Sequence, residues 1–266
     1  MNRYLIIPLW TMLSGMVYGA PTSPGDPSGH GDARDHSTSH RGAKKIALIN
    51  AEGADVTLWK PDLTTLPLNA DMMGILILPA TGMSSYHAVV AEKDWGTIRE
   101  SVIRYEYLSG KPSHQSPGKL VNAVKSDFEI VPDPLPREHY RYYAGHTWAF
   151  ILRLKGEPLP DTGLDLETGN GTRLHGISDT AGRVSFRLPD DFTDTAPDKR
   201  DRRSAEFTVS AATEADNLRY ETLLTARYHI NPSHWQSTPL GLAAVGLGLL
   251  AGGLAGRGKR SGEKPA

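Results

Sequence analysis

From Lys45 to Ile230 the chain is a succession of short apolar runs separated by turn residues. "KIALINA", "ADVTLWKP", "MMGILILPA", "YHAVVAEK", "ESVIRYEYLSG" and "DFEIVPDP" are each rich in β-branched, aromatic or alternating apolar residues, the pattern of strands. Helical periodicity is scarce; "GKLVNAVKS" alone predicts a short turn of helix. Prolines then crowd "PDPLPREHYRYYAG", and the residue before each is biased away from helix, so an extended joint is expected there. Beyond it, Trp148, Phe150, Leu152 and Leu154 alternate onto one face of a strand. Asn170-Gly171 marks a hairpin turn, and a polar turn from Glu214 to Asn217 joins the last two strands. The pattern predicts an all-β protein of two small β-sandwich modules, residues 44–134 and 140–231.

The stretch "HGISDTAGRVSFRLPDD", His175 to Asp191, brings a histidine, a serine and an aspartate close together in sequence. Its alternation nevertheless predicts a hairpin. Asp179 has the short acceptor a turn uses, Gly182 tolerates positive φ, and Val184, Phe186 and Leu188 share one face. No G-x-S-x-G, H-E-x-x-H, P-loop or post-strand G-x-G-x-x-G is present, and a non-enzymatic protein is expected.

The two ends add a topology. Residues 1–19 carry Arg3, a short apolar run and small residues, the layout of a signal peptide, with a retained anchor as the alternative. Residues 20–43 are Pro-, Gly-, Ser- and His-rich with almost no apolar residue, so they predict an unfolded linker. Residues 238–256 are uncharged and approach the roughly 20 needed to cross a bilayer. Arg257, Lys259 and Arg260 follow, assigning the tail 257–266 to the cytoplasm. The expectation is a single-pass protein on the periplasmic face of the inner membrane, with a processed C-terminal sorting tail as the alternative. Gly248, Gly252 and Gly256 recur every fourth residue, a face through which the span could meet a membrane transporter or receptor.

Composition removes several classes. With 29 basic against 30 acidic residues there is no excess positive charge for nucleic acid. The absence of cysteine excludes disulfides, thiolate metal sites and cysteine nucleophiles. Histidine remains as the candidate transition-metal ligand. His30, His36 and His40 lie in the linker, and His87 and His139 have Tyr and acidic neighbours, a set suited to nickel, cobalt or copper. The competing reading of His87 and His139 is a structural histidine bonded to backbone at a strand end.

Residues 150–192 resemble the transthyretin-like and carboxypeptidase-regulatory-like modules. Gly156, Pro158, Leu159, Leu164, Leu166, Ser178, Asp179, Gly182, Val184 and Phe186 carry the resemblance. The chain as a whole is similar to a periplasmic family of unknown function described as a nickel-uptake substrate-specific region, although it lacks that family's histidine-bearing "A-H" start. The resemblance implies a membrane-anchored protein assisting nickel- or cobalt-like metal uptake. The alternative is a structural or adhesive envelope module binding protein or glycan.

Overall fold

A computed structural model describes residues 43–136, 141–195, 200–235 and 249, all within a compact unit that begins at Arg41. The first half of the chain gives β1 (Lys44–Ala47), β2 (Asp55–Trp59), β3 (Thr65–Leu68), β4 (Ile75–Leu78), β5 (Met83–Asp94), β6 (Ile98–Leu108) and β7 (Lys111–Pro112). A single turn of helix, α1 (Pro117–Asn122), and β8 (Phe128–Asp133) follow. The second half gives β9 (Tyr142–Tyr143), β10 (Thr147–Leu154), β11 (Glu157–Pro158), β12 (Gly163–Thr168), β13 (Arg173–Ile177), β14 (Arg183–Arg187), β15 (Ser204–Ala215) and β16 (Leu218–His229). The all-β expectation holds, and α1 falls where the pattern put a short turn of helix.

These strands form three sheets. The largest has ten strands, running β13-β12-β15-β16-β6-β5-β2-β3, with β7 beside β5 and β9 beside β16. A four-stranded sheet centres on β10, which pairs with β8, β11 and β14. The third is the pair β1-β4.

The large sheet is covered on both faces. One core packs Phe128, Ile130, Phe150, Leu152, Val184 and Phe186 of the four-stranded sheet against its near face, including Leu164, Phe207 and Tyr220. The other packs Ile46, Leu76 and Leu78 against Val56, Leu58 and Val102 on the far face. In β5, Ala88 and Val90 therefore serve one core while Val89 and Ala91 serve the other. Such a strand reads as an unbroken apolar run because both sides leave water.

Pairing crosses the expected boundary between the two modules. β8 lies antiparallel to β10, and β6 runs parallel to β16 from Arg219↔Ile98 to Thr225↔Arg104. The proline-rich joint adds β9 to the same sheet through Tyr228↔Tyr142.

The stretch after His175 is also built differently from a hairpin. β13 pairs with β12 in the large sheet, whereas β14 pairs with β10 in the opposite one. The chain thus steps from one layer to the other at Ser178–Gly182. Asp179 Oδ1 accepts from the Ala181 and Arg183 N–H groups at 2.9 Å each. Gly182 has φ +69°, and a Cβ there would lie 2.6 Å from the Leu152 carbonyl oxygen. Gly176 permits the two layers to meet, since a Cβ would stand 2.7 Å from Val184 Cγ2. Val184, Phe186 and Leu188 are buried together, as their alternation requires.

Candidate functional site

Of the five histidines predicted as metal ligands, the described residues contain one, His87; His30, His36, His40 and His139 lie outside them. His87 is fully buried on β5. Its Nδ1 lies 3.0 Å from the Ser85 carbonyl oxygen, which can only accept, so Nδ1 carries the proton. Nε2 is then the acceptor for the Thr81 hydroxyl at 2.8 Å. Burial pushes this imidazole below the ordinary histidine pKa, which favours the neutral ring. Both nitrogens are engaged by neighbours of the same strand and turn, the arrangement of a structural histidine.

The other histidines are dispersed. His175 Nδ1 pairs with Asp165 Oδ1 at 2.7 Å on the exposed β12–β13 ribbon. His234 Nε2 pairs with Asp190 at 2.7 Å. His146 and His229 flank the Tyr143 ring, at 5.9 and 6.3 Å. Burial, with Arg141 and Arg227 nearby, depresses His229 to about 4. Among the described residues no three His, Asp or Glu side chains gather to hold a metal ion.

Ser178 and Asp179 are occupied in the turn. The Ser178 hydroxyl donates to the Leu159 carbonyl at 2.8 Å and accepts from the Thr162 N–H at 3.0 Å. Asp191, in the connection between β14 and β15, accepts from Tyr228 Oη at 2.5 Å, Thr168 at 2.7 Å and Asn170 at 3.1 Å. Tyr142 is buried and meets the half-buried Trp148 edge-on, with ring centroids 4.7 Å apart.

A buried ionic cluster lies under α1. Lys125 Nζ donates to the carbonyls of Leu120 (3.3 Å), Val121 (3.3 Å) and Ala123 (2.5 Å) and faces Glu129 Oε2 at 3.1 Å. Arg153 bridges Glu129 Oε1 and the Val121 carbonyl, both at 2.8 Å. These charges tie the end of α1 to β8 and β10. The Lys125 and Glu129 side chains are 0% exposed, and Arg153 is 12% exposed.

The accessible feature is a groove of about 520 Å³ between β3 and β4. β3 is the outermost strand of the large sheet, and β4 has β1 as its neighbour on one side only. Leu66, Pro67 and Leu68 form one wall and Ile75 and Ile77 the other. Ile77 is 64% exposed. Lys45 and Asp71 supply charge at its margins. The Asp71–Gly74 turn at its rim is fixed. Asp71 Oδ1 accepts from the Met73 and Ile75 N–H groups at 2.8 Å each, and Gly74 adopts φ +68° under the Leu48 carbonyl. That turn holds Met72 and Met73 in solvent, 88% and 83% exposed. The strand pattern passes over β3, because Pro67 interrupts a four-residue run. The unassigned interval between Pro61 and Met72 and the adjacent Met72-Met73 pair were the signals available in the sequence.

No family model and no curated protein matches this chain. Among solved structures it is similar to one described as "Ca2+-stabilized adhesin helps an Antarctic bacterium reach out and bind ice", at 13% identity and TM-score 0.28. The match covers 71% of this chain and 49% of that one, so the chain spans about half the length of that structure. Among the described residues no helix is long and apolar enough to cross a membrane; residues 238–248 and 250–256 lie outside them.

Proposed function

We propose that this is a non-enzymatic envelope protein, exported and membrane-anchored, whose two-sided β-sandwich presents the β3–β4 groove to an extended polypeptide. The observation that carries this reading is the groove with its Met72-Met73 rim. Isolated apolar side chains on a surface need no explanation, but a contiguous recessed set beside a fixed turn is what an interaction site requires. Two walls that alternate along β3 and β4 suit a chain with apolar residues at every second position. Methionines adapt their shape to what they cover.

The test is fluorescence anisotropy with labelled peptides of alternating valine and serine, against the wild-type protein and Ile77→Asp. Binding in the micromolar range, at least tenfold weaker for Ile77→Asp with an unchanged melting temperature, is the expected result. Equal affinity for both proteins rules the groove out.

A second reading, transition-metal handling, rests on the spacing of His30, His36 and His40 within a polar tract. It predicts that bound nickel, cobalt or copper, measured by metal content after dialysis, disappears on deletion of residues 21–43. Metal retained after that deletion would remove the tract from consideration.

A further inference from the structure

The end of the sandwich at which the chain leaves β16 carries positive charge that its own neighbours do not neutralise. Register places that charge. His229 of β16 stands opposite Ser204 of β15 on one side and Tyr143 of β9 on the other. Tyr228 and Tyr142, one residue earlier in each strand, are buried in the core. Alternation therefore turns Arg227, His229 and Tyr143 onto the far face of the large sheet. The β1–β4 layer stops short of them, since the Arg227 side chain is 55% exposed. Arg141 is exposed beside β9, and Arg202 is exposed two residues before β15. Burial, and then the Arg141 and Arg227 guanidinium groups, push the His229 ring below its ordinary pKa, so both cations act on one small area.

Nearby carboxylates already have partners. Glu206 accepts from Arg104 at 2.9 Å and stands 3.6 Å from Arg227. Asp201 pairs with Arg203 at 2.7 Å, and Asp190 pairs with His234 at the same distance. Among the described residues, no carboxylate forms an ion pair with Arg141 or Arg202.

The path of the chain decides what this charge meets. Residues 231–235 are fastened to the same end, because Asn231 Nδ2 donates to the Ala144 carbonyl at 2.9 Å and His234 holds Asp190. The uncharged run begins at Thr238, three residues beyond Trp235. Three residues span at most about 10 Å. That reach is comparable to the roughly 8 Å over which charges act at physiological ionic strength.

We propose, resting on the membrane-anchored reading above, that Arg141, Arg202 and Arg227 with the Tyr143 ring form a face that binds the phosphate headgroups of anionic lipid. Guanidinium groups take phosphate through two parallel hydrogen bonds, and tyrosine rings settle at the headgroup level of a bilayer. A lipid surface is favoured over an acidic polypeptide because the chain itself holds this face beside the bilayer.

The full chain, reconstituted into nanodiscs of phosphatidylcholine alone or mixed with phosphatidylglycerol, tests the face. Phenylglyoxal modification of each arginine is followed by mass spectrometry. Arg141, Arg202 and Arg227 should react at least threefold more slowly in the anionic discs, and high salt should abolish the difference. Arg183, exposed at the opposite end of β14, should react alike in both. In Arg141→Gln/Arg227→Gln, which replaces exposed side chains and should melt with wild type, protection of Arg202 should fall at least twofold. Equal rates at the three arginines in both discs overturn the proposal. Protection by soluble poly-glutamate without protection by the discs also overturns it, assigning the face to an acidic polypeptide. A chain that elutes apart from the phosphatidylcholine discs removes the anchor instead. The lipid face then stands if the anionic discs capture the chain and protect these arginines, and falls with the anchor if they do not.

Discussion

Single positions in this protein show how a residue's neighbours decide its role. His87 sits among tyrosine and acidic neighbours in sequence, the surroundings of a metal ligand, but the fold buries it and gives each ring nitrogen one partner. His229 is half-buried and faced by Arg141 and Arg227, so its neutral form is favoured down to about pH 4. The unfolded chain takes up that proton near pH 6.5. Between those values the unfolded state binds more protons, so stability contributed by neutral His229 is complete above about 6.5 and is lost as pH falls toward 4. After allowance for solvent screening the loss is about 1 kcal/mol. Urea unfolding at pH 7 and pH 5 should show a smaller drop for His229→Gln than for wild type. Identical drops would mean that His229 does not couple to folding. Gly182 is the clearest case of a residue chosen by backbone alone: φ +69° and the Leu152 carbonyl 2.6 Å from any Cβ leave room for hydrogen only.

Elements were legible where the code is local. The β15–β16 turn has φ +53° at Asp216 and +62° at Asn217, the geometry that a two-residue hairpin loop demands and that these residue types tolerate. The β12–β13 turn closes at Asn170-Gly171, with Gly171 donating its N–H to the Thr168 carbonyl at 2.9 Å. The same alternation after Gly182 correctly placed Val184 and Phe186 inside, yet it could not tell a hairpin from a step between layers, because both bury the same face. The helix α1 is too short to hold itself by propensity. Its end is held by Lys125, Arg153 and Glu129 instead. Glu129→Gln leaves Lys125 without its buried counter-charge, and should cost about 3–5 kcal/mol in chemical unfolding. Replacing Lys125 with Met in that background should recover part of the loss. A Glu129→Gln protein as stable as wild type would show that the cluster contributes little.

On the scale of the molecule, the deciding feature is the parallel contact between β6 and β16, which draws the two halves of the chain into one sheet. Both cores depend on it. Ile103 and Leu224 enter one, and Val102 and Leu223 the other. Residues 41–235 should therefore unfold in one transition, seen alike by circular dichroism and tryptophan fluorescence. Residues 44–134 or 140–231 alone should give collapsed amide spectra by NMR. A dispersed spectrum from either piece would restore two independent modules.

Alternation, turn residues and the scarcity of helical pattern determined the β class, most of the long strands, the tight turns and the inward face of β14. Those signals act over a few residues, through backbone sterics and the two-residue period of a strand. Strand partners, the double covering of β5 and β6 and the β3–β4 groove were decided only by tertiary structure. Each needs residues far apart in the chain to be brought into register, and register follows from how the sheets bury their two faces together.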